Sequence, residues 1–281
     1  MTYDERASFL LAEAGLQTDP GTLSMASDYL NRTRRGRRYG LIGGVVLGAS
    51  LPAVARQAML ALPLIPAGYL LGVLVSELLT PLPTRSAVRS AELRPRRRAD
   101  MLPHWARASY WVLLIPTLAA PLLILMRRAP GVTRIVTADY ECSAAAITWP
   151  HLSFVLAAVL GASGLAIAEI TLAALTYRAR PGDDPALARL DDVMRRMTAR
   201  SVAAGAAAVG LTMLAMICQE LDRVGHASVC AARPVGPEPA YPWAASLVPW
   251  TGWVGLLLLG TALLIAVTFQ WRNTIPRARL A

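Results

Sequence analysis

Residues 84–107 read TRSAVRSAELRPRRRADMLPHWAR, and this stretch decides how the rest of the chain is arranged. It carries seven arginines and lies between two long apolar runs. Moving arginine across a lipid bilayer costs several kcal/mol per group, so such clusters stay on the cytoplasmic side of a membrane. Placing this loop in the cytoplasm fixes the direction in which every apolar run on either side crosses the bilayer.

The composition of the 281 residues is that of a membrane protein. Hydrophobic residues make up 55% of the chain and charged residues only 16%, whereas a soluble domain has about 25% charged residues. The net charge is +10, and arginine supplies all 28 basic residues because the sequence contains no lysine. Without lysine the chain cannot form a phosphate-binding P-loop, a kinase site or a Schiff base, which excludes ATP hydrolysis by those routes.

The positive charge has a simpler explanation than nucleic-acid binding. The arginines flank apolar runs and are not spread over a soluble domain with aromatic residues between them. That distribution favours membrane topology and contact with anionic headgroups, so we expect the lipid bilayer and no nucleic acid as a partner. The candidate contacts with lipid or with a partner protein are Arg94, Arg96, Arg97, Arg98, Arg195 and Arg196.

Six apolar runs predict an all-α polytopic protein with six transmembrane helices arranged as three hairpins. We divide the chain into a cytoplasmic amphipathic region (1–38), a six-helix transmembrane domain (39–270) and a basic cytoplasmic tail (271–281). The segments assigned to the inside hold 22 arginines and the outside segments hold six, which fits an even number of spans with both termini in the cytoplasm. Two spans are expected within 39–82, with a turn between Pro52 and Pro66, and the others at 105–126, 151–177, 201–220 and 246–269.

Two short amphipathic helices (4–16 and 20–35) are expected before the first span. Gly15 falls near the C-cap of the first helix, while Asp19 and Pro20 suit the N-cap and first position of the second. We expect both helices to lie on the membrane surface or against a cytoplasmic partner.

A further cytoplasmic helix is expected at 187–197, separate from the fifth span. Asp191 and Asp192 stand four residues before Arg195 and Arg196, which places opposite charges next to each other on its surface.

Gly40, Gly44 and Gly48 repeat every four residues in the first predicted span. Glycine at this spacing lets two helix backbones approach closely, which is how many helices associate in lipid. The pattern predicts a helix-packing face, but it does not distinguish packing within one chain from packing between copies in a homo-oligomer.

Glu169 lies inside the fourth predicted span, on the cytoplasmic side of its middle. Gly161, Ala162 and Leu165 share its face, so we expect the carboxyl group to point to a neighbouring helix. An ionisable group at that depth is functional by default, and the alternative is a structural hydrogen bond to a serine, a threonine or a backbone carbonyl. Glu77, in the second span, lies closer to the interface, where its side chain could reach water.

Cys142 and Cys230 fall in the two long loops predicted to lie outside. One cysteine in each loop suggests a disulfide between hairpins, because that side of the membrane is oxidising. Cys218, near the outer end of the fifth span, is a competing partner, and the sequence does not choose between them. His151, His226 and Cys230 lack the paired spacing of a metal site, so no metal or other cofactor is expected.

Gly161-Ala162-Ser163-Gly164 is similar to the G-x-S-G that intramembrane rhomboid proteases carry in the fourth of six spans. Those enzymes need a histidine in the sixth span as general base, and residues 246–269 contain none. Small residues at this spacing are more simply a helix-packing face. An intramembrane enzyme is therefore the least favoured interpretation, and we expect no catalytic residues.

The layout resembles the membrane subunits of ABC-2-type exporters. These have six spans, cytoplasmic termini, an amphipathic helix before the first span and a basic first cytoplasmic loop that contacts an ATPase; residues 23–38 and 84–107 occupy those places here. The resemblance implies a non-catalytic transmembrane subunit of a transport complex that works with a separate ATPase. The alternative is a membrane scaffold or regulatory sensor that acts through its cytoplasmic helices. Segments 94–100 and 190–192 also look like those of membrane proteins from GC-rich bacteria, which implies the bacterial inner membrane.

Overall fold

The computed structural model describes residues 7–8, 11–12, 15, 19–55, 61–79, 101–127, 135–138, 144–148, 152–177, 185–231 and 242–272. Long helices make up most of these ranges. They are α1 (Pro20–Ala55), α2 (Ala61–Leu79), α3 (His104–Met126), α4 (Leu152–Tyr177), α5 (Pro185–Ala231) and α6 (Val248–Arg272). A 3₁₀ helix, Pro242–Leu247, leads directly into α6.

A short antiparallel sheet departs from the purely helical prediction. Its strands are β1 (Ile135–Ala138) and β2 (Ala144–Thr148), with Ile135 paired to Thr148 and an irregular register between residues 135 and 137. Isoleucine, valine and threonine dominate β1, and these β-branched residues favour extended backbone. β1 also packs against α5, so the sheet is attached to the helical bundle.

Within the described ranges, four segments are long and apolar enough to cross a membrane, which makes this a membrane protein by helix length and composition. They are Ala106–Met126, Phe154–Tyr177, Ala188–Cys230 and Pro242–Ala266, and Pro63–Leu78 is a shorter apolar helix. Burial differs sharply among them. In the most apolar stretch of α5, 83% of the residues are buried inside the protein. In the most apolar stretch of the segment Pro242–Ala266, which includes much of α6, only 17% are buried. Helix α5 is therefore the centre of the bundle, and α6 exposes most of its apolar surface.

Helix α5 is one continuous helix of 47 residues. The predicted separation into a helix at 187–197 and a span at 201–220, with a loop from 221, is wrong. Thr198, Ala199 and Arg200 include no helix breaker, and alanine and arginine are among the best helix formers. At 1.5 Å per residue the helix is about 70 Å long, more than twice the hydrocarbon thickness of a bilayer. It packs against α2, α3, α4 and α6.

Helix α1 is also continuous across a predicted boundary, since it runs from the amphipathic region into the first apolar run. Its start is as expected: Pro20 is the first helical residue, and the Gly21 N–H donates to Asp19 Oδ2 at 3.2 Å. Gly15 has a positive φ of 68°, as a glycine at a helix C-cap has. Helix α1 ends at Ala55 and α2 begins at Ala61, both within the range in which the turn was expected, and residues 56–60 lie outside the described residues.

The N-terminal residues pack within the chain. Apolar side chains before α1, in α1 and near the start of α5 bury one another, and we call this group the N-terminal layer. It consists of Ala7, Leu11, Ala26, Leu190 and Met194, with Leu23 and Leu30 packed against it. The two N-terminal helices were predicted to lie on the membrane surface or against a partner. The structure corrects this for their buried face, since Ala7, Leu11 and Ala26 pack against Leu190 and Met194 of α5.

Polar contacts define one end of the bundle, which we call the basic end. There Arg107 of α3 meets Glu169 of α4, and Arg195 of α5 donates to the Leu175 carbonyl near the end of α4. At the opposite end the Trp243 indole N–H donates to the Arg127 carbonyl at the end of α3.

Candidate functional site: polar contacts between helices

Glu169 receives donors from three side chains of α3. Arg107 donates from Nε and Nη2 to Glu169 Oε1 at 3.3 and 3.2 Å and from Nη2 to Oε2 at 3.1 Å. The Tyr110 hydroxyl donates to Oε1 at 2.5 Å, and the Trp111 indole N–H donates to the same oxygen at 3.2 Å. The carboxylate therefore joins α4 to α3, as the expected orientation toward a neighbouring helix requires.

The donors meet because of their spacing. Arg107, Tyr110 and Trp111 stand at positions i, i+3 and i+4, which lie side by side on one helix face. The Tyr110 ring is fully buried, and its centroid lies 6.3 Å from that of Trp111. The role of Tyr110 and Trp111 as donors to Glu169 was not predicted. The i, i+3, i+4 spacing was the available signal.

Glu77 makes a second contact, between α2 and α5. It is only 7% exposed, and the Thr198 hydroxyl donates to Glu77 Oε1 at 3.3 Å. The expectation that Glu77 reaches water is therefore wrong. Its partner is 121 residues away in the chain, and a contact of that separation cannot be read from helical periodicity.

Arg195 and Asp191 make a third contact, between α5 and α4. The Arg195 Nε and Nη2 atoms lie 2.7 and 2.6 Å from Asp191 Oδ2, and Nη1 donates to the Leu175 carbonyl. The pairing expected from the four-residue spacing is confirmed. Both side chains are 1% exposed. Because it is buried, Arg195 is not available to a partner or to lipid. Its guanidinium group instead satisfies a backbone carbonyl at the end of α4.

The remaining candidate arginines differ from Arg195. Arg196 is exposed, and its Nε donates to the Asp192 main-chain oxygen at 3.2 Å. The other four arginines proposed as contacts, Arg94, Arg96, Arg97 and Arg98, lie outside the described residues.

The glycine face of α1 packs against glycines of α2. A Cβ on Gly40 would lie 2.6 Å from the Gly72 Cα, and one on Gly44 would lie 2.6 Å from the Leu64 carbonyl oxygen. A Cβ on Gly68 would lie 2.6 Å from the Gly44 Cα. These contacts lie within the chain, and residue numbers rise along α1 as they fall along α2, so the helices are antiparallel. The side-chain surroundings of Gly48 lie outside what the structure describes.

Gly161 and Gly164 also lie at helix contacts. A Cβ on Gly161 would lie 2.6 Å from Thr117 Oγ1 of α3, and one on Gly164 would lie 2.9 Å from Val209 Cγ1 of α5. The Ser163 hydroxyl donates to the Leu160 carbonyl of its own helix at 2.9 Å. The G-x-S-G stretch is therefore a packing face in this fold.

At the opposite end of the bundle, a cluster of polar side chains that the sequence did not indicate joins α5 to α6. The Thr251 hydroxyl donates to Asp222 Oδ1 at 3.0 Å, and His226 Nδ1 lies 3.5 Å from Asp222 Oδ2. Glu220, which is 6% exposed, lies 3.5 Å from Arg223. These residues were predicted to lie at a span end or in a loop, and the extension of α5 to Ala231 brings them into the bundle.

The structure describes two of the three cysteines, Cys218 and Cys230. Cys218 is a half-buried free thiol, so it is not the competing disulfide partner. Cys142 lies outside the described residues, and its pairing with Cys230 stays a prediction.

We expect mass spectrometry of the non-reduced protein to find a peptide that joins Cys142 to Cys230, because Cys218 is a free thiol. Reduction before digestion is the control and should abolish that peptide. A non-reduced digest in which both cysteines appear as unlinked peptides would disprove the pairing.

The three contacts at the basic end join helices, and their chemistry is that of ion pairs and hydrogen bonds. Within the described ranges, no group of three or more histidine, cysteine, aspartate or glutamate residues could hold a metal ion. Comparison of the chain with family models, with curated proteins and with solved structures finds no match. A proposal for function therefore starts from the bundle and its contacts.

Proposed function

We propose that the chain crosses the membrane six times as three antiparallel hairpins, with both termini on the cytoplasmic face of a bacterial inner membrane. The two crossings added to the four apolar spans are the apolar half of α1, from residue 39, and α2. Antiparallel contacts support each hairpin: Gly40 with Gly72, Arg107 with Glu169, and Asp222 with Thr251. The arginine distribution supports the orientation.

We further propose that the protein is the non-catalytic membrane subunit of a transport complex driven by a separate ATPase. The observation that carries this proposal is helix α5. It begins in the N-terminal layer, continues without a break and is the most buried helix of the bundle. A displacement of the layer by a bound partner would therefore move α5 against the helices packed around it. Energy would come from the partner, because this chain has no lysine for a P-loop.

A photo-cross-linking amino acid tests which partner binds the layer. One variant carries it at Arg35, an exposed residue of α1 next to the layer, and the control carries it at Leu257, which is 70% exposed on α6. In native membranes we expect Arg35 to cross-link to an ATPase, whereas Leu257 should face lipid and give no such product. Cross-linking of Arg35 to a regulatory protein alone would contradict the transport proposal and support a scaffold or sensor.

Glu169→Gln is expected to impair activity at unchanged expression, because it removes the charge that holds Arg107 while keeping the side-chain size. The ATP hydrolysis rate of the purified complex measures activity. Thermal unfolding of Glu169→Gln, Arg107→Gln and the double variant measures coupling, expected on the order of 1 kcal/mol for a partly exposed pair. Full activity in Glu169→Gln with a measurable coupling energy would make the pair structural only.

A further inference from the structure

The cytoplasmic part of α5 presents a line of exposed arginines. Arg189, Arg196 and Arg200 are all exposed, and their positions fall within about 40° of one another around a helix that turns 100° per residue. Asp191 and Arg195, on the other side of the helix, are buried. The exposed line is thus separate from the contact between α5 and α4.

These three guanidinium groups have no carboxylate partner in the part of the chain that the structure describes. The nearest acidic residues along the helix are Asp191, which pairs with Arg195, and Asp192, whose main-chain oxygen accepts from Arg196. Among the described residues, this face therefore carries positive charge that no carboxylate pairs with, and such charge attracts anions.

Arg196 and Arg200 border a hollow in this face. Val193 and Met197 complete its lining. Two guanidinium groups one helical turn apart, about 6 Å along the axis, can donate to the oxygens of one phosphate, and arginine binds phosphate through paired donors. The half-buried Met197 side chain supplies a small apolar surface beside that phosphate, whereas Val193 is only 5% exposed. The combination suits a group that is anionic at one point and apolar next to it.

The position of the hollow indicates the source of that group. Arg200 is followed directly by the segment that begins Ser201-Val202-Ala203-Ala204, in which α5 becomes apolar. Phospholipid headgroups lie at such a boundary, and basic residues just outside a span attract anionic lipids. An acidic protein would satisfy the charges but has no need of a position at the start of a span.

We propose that Arg196 and Arg200 bind the phosphate of an anionic phospholipid at the basic end of the bundle, with Arg189 adding attraction further from the membrane. This site is independent of the proposed transport function, since it requires only that α5 crosses a membrane. The proposal also gives the adjacent residues Arg195 and Arg196 different roles. Arg195 holds two helices together, and Arg196 faces lipid.

Lipid titration of the full-length protein in detergent tests the site. Native mass spectrometry counts bound phosphatidylglycerol, with phosphatidylcholine as the neutral lipid. The variant R196Q/R200Q should bind phosphatidylglycerol more weakly by a factor on the order of ten. The control R35Q/R38Q removes two exposed arginines that precede the first proposed span, with the same change in charge, and should weaken binding clearly less than R196Q/R200Q does. R196K/R200K keeps the charge and should recover part of the affinity.

Several outcomes would overturn the proposal. Equal loss in R35Q/R38Q would show a general charge effect, and equal binding of phosphatidylcholine would show that the net negative charge of the lipid is not recognised. Displacement of the lipid by inorganic phosphate at the same concentration would assign the site to free phosphate. Binding of a polyglutamate peptide in place of phosphatidylglycerol would assign it to an acidic protein. Unchanged thermal unfolding of R196Q/R200Q without lipid verifies that the variant is folded.

Discussion

Replacing Arg195 by methionine is expected to destabilise the protein by about 3–5 kcal/mol, because breaking a buried ion pair leaves a buried charge without its counter-ion. The Arg195 guanidinium lies within hydrogen-bonding distance of Asp191 and also donates to the Leu175 carbonyl, so its loss affects both α5 and the end of α4. The measurement is the fraction of protein that remains monodisperse by size exclusion after heating in detergent.

Arg196→Met is the matched control for this prediction, since Arg196 is the next residue on the same helix and is exposed. A surface substitution of this kind should change stability by less than about 0.5 kcal/mol. Replacing both members of the buried pair, as in Asp191→Leu with Arg195→Leu, should recover much of the loss, because no charge is then left unpaired. Equal heat resistance of Arg195→Met and Arg196→Met would show that the pair does not hold α4 to α5.

Gly40→Ala should separate α1 from α2 at a cost of about 1–3 kcal/mol, the usual effect of an added methyl group in a packed core. The new Cβ would lie 2.6 Å from the Gly72 Cα and 2.8 Å from its nitrogen, and backbone atoms cannot move aside as a flexible side chain can. The same heating assay measures the loss.

Gly43→Ala is the control for the glycine contact. Gly43 belongs to the same helix, and a Cβ there would meet nothing within 4 Å. Alanine is a better helix former than glycine by up to about 1 kcal/mol, so this variant should be neutral or slightly more stable. If Gly40→Ala were as stable as Gly43→Ala, the close approach of α1 to α2 would not be the contact that holds them.

The sequence predicts the interior of the helices better than their ends. Long apolar runs predicted the four apolar spans that the structure describes, and the orientation of Glu169 and the pairing of Asp191 with Arg195 followed from spacing within one helix. The continuity of α1 and α5 through their arginine clusters did not, because those clusters were taken as boundaries. Arginine is a good helix former, so a change from polar to apolar composition marks entry into a membrane and does not end a helix.

Contacts between distant segments were beyond prediction for a different reason. Thr198 lies on the face of α5 that packs against α2, and nothing near it in sequence indicates Glu77 as its partner. The same holds for the Arg195 donation to the Leu175 carbonyl, since main-chain acceptors carry no sequence signal. The role of Gly68 and Gly72 was within reach, because their spacing matches that of Gly40 and Gly44.

The proposed topology, an even number of crossings with both ends in the cytoplasm, is tested most directly by attaching a compartment-sensitive reporter to each end of the full-length chain in separate strains. Arginine remains on the side where the bilayer allows it, and six crossings return the chain to the face on which it began. We predict that both reporters give the cytoplasmic signal. Reporters on opposite faces would require an odd number of crossings and would contradict the six-span arrangement and the proposed transport function built on it.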